Sequence, residues 1–152
     1  MANFSFDGVD AFQVTFSQLQ QLTSDELLGV IRPAAEELQQ ALSSAATSSF
    51  TSRTGSLSGS IQLEERTDGD GASIVVLPKG QHPKSSTGKR RGKRRSNGRY
   101  SGTNAEVAAI LNYGSSRIPA TLWHDTAVEE AETQINASMQ AEWNRLLDAK
   151  GI

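Results

Sequence analysis

The chain has 152 residues and a formal net charge of −2, with 36% hydrophobic and 6% aromatic residues. This length suits one domain over residues 1–152, and the lean apolar content indicates that part of its burial comes from other subunits. The chain has no cysteine, which excludes disulfide bonds, cysteine metal ligands and a cysteine nucleophile. No window is apolar enough to span a membrane, and the N-terminus lacks the basic and apolar regions of a secretory signal. We therefore expect a soluble protein that is made in the cytoplasm.

The N-terminal residues predict a short strand and a short helix. Phe4 and Phe6 alternate with polar neighbours, as residues of an edge strand do. From Asp10 onward apolar residues recur on one helical face, and we expect this helix to face the core. The residues of that face are Phe12, Phe16, Leu19 and Leu22.

A second and longer helix is predicted to begin at a capping box formed by Thr23 and Glu26. Its apolar stripe consists of Leu27, Leu28, Ile31, Ala35, Leu38, Leu42, Ala45 and Ala46. Pro33 lies inside this pattern, so a kink or a later start near Ile31 stays open. Arg53-Thr54-Gly55 is predicted to end the helix, because glycine readily adopts the left-handed conformation found there.

A β-hairpin is predicted after this helix. Residues 60–64 show the period of two that is typical of strands, and the run Ser73-Ile74-Val75-Val76-Leu77 is a second predicted strand. The connection Asp68-Gly69-Asp70-Gly71 favours a turn between antiparallel strands. A calcium loop is the weaker interpretation, because the further ligands of an EF-hand loop do not follow.

The segment 78–103 differs from the rest of the chain, because it holds 9 of the 15 Lys and Arg residues and no Asp or Glu. The basic residues are Lys79, Lys84, Lys89, Arg90, Arg91, Lys93, Arg94, Arg95 and Arg99. The remainder carries six basic and 17 acidic residues, a net charge of −11. Gly, Ser and Pro recur in the segment, and Tyr100 is its single residue suited to a core. We expect a long loop insertion, mobile in the free chain, that meets DNA or an acidic protein surface.

Two helices are predicted beyond the loop. The first is short, capped by Asn104 and ended by Tyr113-Gly114, and residues 115–119 after it are predicted to be extended because of Pro119. The last helix is predicted to run from Ala120 or Thr121 to Lys150. At about 45 Å it should overhang a domain whose radius of gyration is roughly 15 Å.

The apolar face of the last helix rotates along its length, so its two ends are predicted to face different partners. The candidates for a subunit interface are Met139, Trp143, Leu146 and Leu147. The alternative is a break around Asn136-Ala137-Ser138 that folds the last turns back as a separate helix.

No residue pattern in the chain predicts catalysis. His82 lies in the basic loop, and His124 lies on the last helix, without the spacing of a triad or a metal site. We therefore expect no catalytic residues, no metal ligands and no cofactor.

Three stretches of the chain, taken in order, match the motifs of one known family. They read FDGVDAFQVTFSQLQQL, RTGSLSGSI and NYGSSRIPATLWHDTAVEEA. Together they resemble the tail-completion or head–tail joining proteins of long-tailed bacteriophages. The motif positions are Arg53, Thr54, Gly55, Tyr113, Gly114, Pro119 and Trp123. The chain departs from the family pattern at Asn112, which replaces an acid, at Ser115, which replaces Thr, and at Leu122-Trp123, where Phe-Leu is usual.

The resemblance implies an α+β subunit. Its small antiparallel sheet, built on a β-hairpin, would pack against helices, with a long basic loop and a long C-terminal helix. It also implies a homo-oligomeric ring, a hexamer, at the head–tail junction of the virion, through which DNA passes. The neighbours of that ring would be head-closure or connector proteins on one side and tail terminator or tail tube proteins on the other.

Two alternatives stay open. The ring could be the tail terminator or the head-closure ring of the same neck. From a different class of function, the chain could be a nucleic-acid-binding module that acts through its basic loop.

Overall fold

The computed structural model describes residues 22–49, 57–68, 71–81 and 102–151. Within them, helix α1 (Ser24–Ser49) precedes strands β1 (Ile61–Asp68) and β2 (Gly71–Pro78), helix α2 (Asn104–Tyr113) and helix α3 (Trp123–Lys150). A single 3-10 turn (Ser58–Ser60) leads into β1. This arrangement confirms the predicted α+β class, with an antiparallel hairpin and a long C-terminal helix. The predicted N-terminal strand and helix, the Arg53-Thr54-Gly55 stop and most of the basic loop lie outside the described residues.

Helix α1 begins at the predicted capping box. The Glu26 carboxylate accepts a hydrogen bond from the Thr23 backbone N–H at 2.9 Å, and the Glu26 N–H donates to the Thr23 hydroxyl at 3.3 Å. Pro33 lies inside the helix, which runs unbroken from Ser24, so the alternative start near Ile31 is wrong. Val30, Ala34 and Ala35 are buried around the proline, and this packing maintains the helix despite the lost backbone donor.

The hairpin pairs β1 with β2 in register from Ile61 opposite Pro78 to Asp68 opposite Gly71. Both strands are longer than the predicted 60–64 and 73–77, because the backbone hydrogen bonds continue beyond the residues whose apolar side chains indicated a strand. Ser60, predicted to be in the strand, lies instead in the 3-10 turn, where its hydroxyl donates to the Leu57 carbonyl at 2.7 Å. A connection of two residues, 69 and 70, fits the predicted tight turn.

Helices α1 and α3 lie antiparallel over nearly their whole lengths. At one end the Lys150 ammonium lies 2.5 Å from the Glu26 carboxylate, and near the middle the Ser138 hydroxyl donates to Glu37 at 2.6 Å. At the other end Trp123 and Ala127 of α3 share a buried core with residues of α1, the hairpin and α2. The remaining residues of that core are Leu42, Ala46, Leu57, Ile61 and Ala108.

This pairing corrects three predictions about the last helix. The helix begins at Trp123, not at Ala120 or Thr121, and it continues without a break through residues 136–138. It does not overhang the domain, because α1, with 26 residues, is almost as long as the 28 residues of α3. Both ends of α3 therefore contact the same helix, α1, and contact of either end with another subunit stays a prediction.

The start of α3 depends on a side chain of α2. Leu122 precedes the helix in a left-handed conformation, with φ of 50°, and makes no side-chain cap. The buried Asn112 takes that role: its carbonyl Oδ1 accepts from the His124 N–H at 2.9 Å, and its Nδ2 donates to Asp125 at 3.2 Å. Its backbone carbonyl accepts from the Leu122 N–H at 3.1 Å. Asn112 thus joins α2 to α3.

Helix α2 is capped by Thr103, which corrects the prediction that Asn104 is the cap. The Thr103 hydroxyl accepts from the Glu106 N–H at 3.2 Å, and the Glu106 carboxylate accepts from the Thr103 N–H at 2.8 Å. This is a capping box, whose Ser/Thr-x-x-Glu spacing begins at Thr103.

Replacing Asn112 by alanine should destabilise the fold by about 2 kcal/mol, because the part-buried N–H of His124 loses its acceptor and the buried Asn112 side chain loses its bonds to α3. Denaturant unfolding followed by circular dichroism measures this change. Asn144→Ala is the matched control: it removes an exposed side-chain bond to Gln140 and should change stability by less than about 0.5 kcal/mol. Equal effects of the two substitutions would contradict the role given to Asn112.

Glu26→Gln should weaken the pH dependence of stability. The hydrogen bond from Lys150, assisted by that from the Thr23 N–H, holds the pKa of Glu26 below its ordinary value of 4.5. A lowered pKa in the folded state stabilises the fold above about pH 4.5, and this contribution disappears as pH falls through the folded value. The thermal midpoint of the wild type should therefore fall more steeply below pH 4.5 than that of Glu26→Gln, which keeps an acceptor for the capping box.

Glu129→Gln is the control for this experiment, because Glu129 makes no ion pair with any described residue. Its midpoint should follow the wild-type curve. Parallel curves for all three proteins would show that the Glu26–Lys150 pair does not contribute.

Candidate interaction surfaces at the two ends of helix α2

The base of the basic loop is closed at the N-terminal end of α2. Gln81 and Thr103 form an antiparallel bridge, and the Asn104 N–H donates to the Gly80 carbonyl at 2.9 Å. The buried Asn104 side chain also donates to the Lys79 carbonyl at 2.7 Å. The two ends of the basic loop, at Gln81 and Thr103, therefore lie side by side.

Lys79 is the one basic residue of the predicted loop whose side chain the structure describes, and it belongs to this base. Its ammonium lies 2.8 Å from the Glu64 carboxylate, and Arg66 lies 2.9 Å from the same group. Hydrogen bonds from Lys79 and then Arg66 lower the pKa of Glu64. Lys79 is thus engaged within the domain. The other eight basic residues of the loop lie outside the described part of the chain.

The C-terminal end of α2 and the connector after it expose apolar side chains. Tyr113 is 68% exposed, Leu122 49% and Ile118 40%, and Met139 is the remaining large apolar residue with comparable exposure in the described chain. We call Tyr113, Ile118, Pro119 and Leu122 the Tyr113 surface. Arg117, exposed within it, makes no ion pair with a described residue. Several exposed apolar side chains on one short stretch of chain, with an exposed cation among them, are typical of a protein-binding surface.

The connector folds back on α2. Gly114 has φ of 81°, and a Cβ there would lie 2.7 Å from the Ala120 nitrogen, so no other residue fits without a shift of the backbone. Residues 115–118 form a closed turn in which the Ser115 N–H donates to the Ile118 carbonyl at 2.7 Å. The predicted extended connector is therefore wrong over these residues. Pro119 restricts only the residue before it, and Ser115 is free to start a turn.

Leu122 combines strain with exposure. A leucine in the left-handed conformation costs roughly 1–2 kcal/mol, and its half-exposed side chain recovers little of that by burial. Two backbone hydrogen bonds to α2 hold this conformation. The Thr121 N–H donates to the Leu111 carbonyl at 3.2 Å, and the Leu122 N–H donates to the Asn112 carbonyl at 3.1 Å. Strain maintained in this way at an exposed residue is a reason to assign a function to it.

The predicted motif residues divide into structural and exposed positions. Trp123 is buried, 4% exposed, with its indole N–H 3.4 Å from the Ala108 carbonyl, and Gly114 is required by the close approach. Tyr113 and Pro119 are exposed. Arg53, Thr54 and Gly55 lie outside the described residues.

The departure from the family pattern at Asn112 has a local explanation. Asp125 lies 3.2 Å from the Asn112 amide nitrogen, and a second carboxylate at position 112 would face it. An amide donates to Asp125 and still accepts the helix N–H. The sequence did not identify this role, because the two residues are 13 positions apart.

The predicted interface residues lie beside α1. Met139 is 38% exposed, and Trp143, Leu146 and Leu147 are half-buried. Met139 and Trp143 line a groove of about 460 Å³ with Leu27, Val30 and Ile31 of α1 and Ala72 of β2. Their role in a subunit interface stays a prediction.

The described residues contain no group of three or more His, Cys, Asp or Glu side chains that could hold a metal ion. His124 lies at the exposed start of α3, with Nδ1 3.2 Å from the Asp125 carboxylate and its ring edge-on to Trp123. His82 lies outside the described part. None of the helices described here has the length and apolar character needed to cross a membrane.

Leu122→Gly should be more stable than Leu122→Ala by about 1 kcal/mol, because both lose the side chain but only glycine adopts φ of 50° without strain. Chemical denaturation of both variants and the wild type measures the difference. A stability order with alanine above glycine would contradict the strain assigned to this residue.

Comparison with protein-family models, with curated protein sequences and with solved structures found no match to this chain. The functional proposal therefore depends on the three motif stretches and on the geometry of the two ends of α2.

Proposed function

We propose that this chain is a structural virion protein and not an enzyme, which forms a ring at the head–tail junction of a long-tailed bacteriophage. The observation that carries the proposal is the ordered set of three motif stretches across nearly the whole sequence. In this proposal six subunits form a homo-oligomeric ring, and the genome passes through it. The ring is made in the host cytoplasm and joins connector or head-closure proteins to the tail.

The Tyr113 surface supports contact with other proteins. Its apolar residues belong to the third motif stretch, and Leu122 is kept exposed in a strained conformation. Burial of a large apolar side chain contributes about 1.5–3 kcal/mol, so docking of Tyr113, Ile118 and Leu122 on a neighbour would outweigh the strain. A ring subunit needs such a surface for an adjacent copy or an adjacent ring.

The basic loop supplies a second contact. Its base and the Tyr113 surface lie at opposite ends of α2, about 14 Å apart along the helix axis. The first half of α3 carries four acids and no Lys or Arg, namely Asp125, Glu129, Glu130 and Glu132. An acidic domain with a basic insertion is complementary to further copies of itself and to other acidic rings. We assign the loop to protein contacts between rings, because a dense cationic collar would impede a genome that must slide through.

Replacing six loop residues by serine should block the joining of heads to tails while the subunit still folds. The six are Lys89, Arg90, Arg91, Lys93, Arg94 and Arg95. Phage production complemented by the variant, with electron microscopy of unjoined heads and tails, measures the effect, and circular dichroism checks the fold. Changing the four arginines of this set to lysine keeps the charge and is the matched control, for which we expect joining to persist. Normal yields of infectious particles from the serine variant would refute the proposed contact.

Binding to DNA by the isolated protein separates the proposal from the nucleic-acid-binding alternative. Six phosphate contacts would give log K against log salt a slope of about −5. Submicromolar binding of duplex DNA by the monomer at physiological salt, with such a slope, would rank the nucleic-acid-binding module first. Weak binding by the monomer agrees with a loop that contacts protein.

A further inference from the structure

A pocket opens from the buried core to the surface between the hairpin, α2 and the start of α3. It measures about 160 Å³. Exposed residues line part of it, namely Tyr113 and His124. Another part of its wall consists of residues of the buried core, namely Leu42, Ile61, Ala108 and Trp123. The pocket therefore connects the core with the Tyr113 surface, and we call it the Trp123 pocket.

The Trp123 pocket suits one apolar side chain. Its lining contains no Asp, Glu, Lys or Arg, so a charged group would lose its hydration there and gain no partner. A dry apolar cavity of about 150 Å³ accepts a group the size of benzene, and the side chains of isoleucine and leucine are about this size. A side chain that fills such a pocket contributes much of the binding energy of an interface.

A carboxylate lies at the rim of the pocket. Asn112 and His124 both line the pocket and both contact Asp125. The Asn112 amide nitrogen lies 3.2 Å from Oδ2 of Asp125, and His124 Nδ1 lies 3.2 Å from its Oδ1. The Asp125 side chain is 44% exposed and makes no ion pair with a Lys or Arg of the described chain. An occupant with a cation beside its apolar group would match both parts of this site.

The turn at 115–118 carries such a pair of side chains. Ile118 is 40% exposed, and Arg117 before it is exposed and makes no ion pair with a described residue. The turn is held closed, because the Ser115 hydroxyl accepts from the Arg117 and Ile118 N–H groups at 3.3 and 3.2 Å. A turn that is ordered before binding loses little conformational entropy when it docks.

Of the large apolar residues exposed in the described chain, Ile118 alone has a cation beside it. Leu122 lies between Thr121 and Trp123, and Met139 lies between a serine and a glutamine. Tyr113 belongs to the wall of the pocket, whereas Ile118 does not line the pocket of its own chain. A second copy of the chain can therefore supply the matching pair of side chains.

We propose that Ile118 of one copy of this chain docks in the Trp123 pocket of a second copy, with Arg117 paired to Asp125 of that copy. The inference rests on the proposed function, because it names the contact that the Tyr113 surface makes between subunits. Each copy carries both the turn and the pocket, so the contact can repeat from subunit to subunit around a ring.

Obstruction of the pocket tests this contact. Ala109 is exposed and lines the pocket, so Ala109→Phe should block it from the surface without replacing a core residue. Ala105→Phe is the matched control, because Ala105 is exposed one turn earlier on α2 and does not line the pocket. Sedimentation equilibrium should show self-association weakened by about tenfold or more in Ala109→Phe and in Ile118→Ser, and unchanged in Ala105→Phe. Circular dichroism verifies that each variant folds.

Exchange of the two charges tests the ion pair. Arg117→Glu should weaken self-association, because two carboxylates would then face each other, and Asp125→Arg should weaken it because two cations would. The variant with both changes should associate more tightly than either single variant, since the pair is restored with its charges reversed. Arg145→Glu is the control for the change in net charge and should associate like the wild type, because Arg145 lies far along α3. Additive losses in the double variant would overturn the pairing.

Three further outcomes would contradict the inference. Equal association of the wild type, Ala109→Phe and Ile118→Ser would overturn the contact, while the proposed ring would stand on other contacts. A wild type that stays monomeric at every concentration would also overturn it, and phage complementation with the six-serine loop variant then tests the proposed function separately. Loss of infectious particles with Ala109→Phe, without a change in self-association, would assign the pocket to a different protein.

Discussion

The antiparallel packing of α1 against α3 is the interaction on which the rest of the described structure depends. The two helices are joined at both ends, by Glu26 and Lys150 and by Leu42, Ala46 and Trp123. Five of the eleven buried apolar residues in the described chain are alanine, so the helix pair contributes only a thin core. Burial of so little apolar surface gives a small stabilisation per residue, and the hairpin and α2 must cover one end of the pair. The same thinness explains why the other end has an open apolar groove.

Asn112 links the packed helices to the Tyr113 surface, which we assign to protein contact. It is buried beside the core, and it holds both the backbone of Leu122 and the first turn of α3. The connector between α2 and α3 has no regular structure, yet Gly114, the turn at 115–118 and these bonds leave it little freedom. A surface that is ordered before binding loses less conformational entropy when a partner docks. Docking of the exposed Tyr113, Ile118 and Leu122 on a partner would therefore cost little conformational entropy, although the apolar residues are few.

The chain separates its charges between the basic loop and helix α3. The base of the loop is held by Asn104 and by the Lys79–Glu64 ion pair. The acids in the first half of α3 make no ion pair with a Lys or Arg that the structure describes. In the ring that we propose, the loop of one subunit and the acids of another are complementary in charge.

The sequence alone determined those features whose cause is local. The capping box at Thr23, the hairpin around residues 69 and 70 and the end of α2 at Gly114 each depend on residues within four positions of one another, and all three agree with the structure. The buried stripe of α1 follows from its period only in part. Leu28, Ala35, Leu42 and Ala46 are buried as predicted, whereas Val30 and Ala34 are buried without having been predicted. The sequence could not determine what α3 packs against. The overhang was predicted by comparing the length of α3 with the size of an average domain, whereas α3 packs against a helix of nearly its own length, 26 residues against 28.

Only the tertiary structure decided the remaining points, because each joins residues that are distant in the chain. Ser138 and Glu37 are 101 positions apart, and the Asn112 cap of α3 comes from another helix. The start of a helix is predicted from a polar capping residue just before it. Leu122 has no polar side chain, so the sequence gave no sign of the left-handed residue before Trp123. The exposure of Tyr113 and the burial of Trp123 likewise depend on the point at which the connector folds back on α2. The close backbone approach at Gly114 and the hydrogen bonds to the Leu111 and Asn112 carbonyls fix that point. Local residues specify local conformation, and the surface offered to other molecules arises only when distant parts of the chain are packed together.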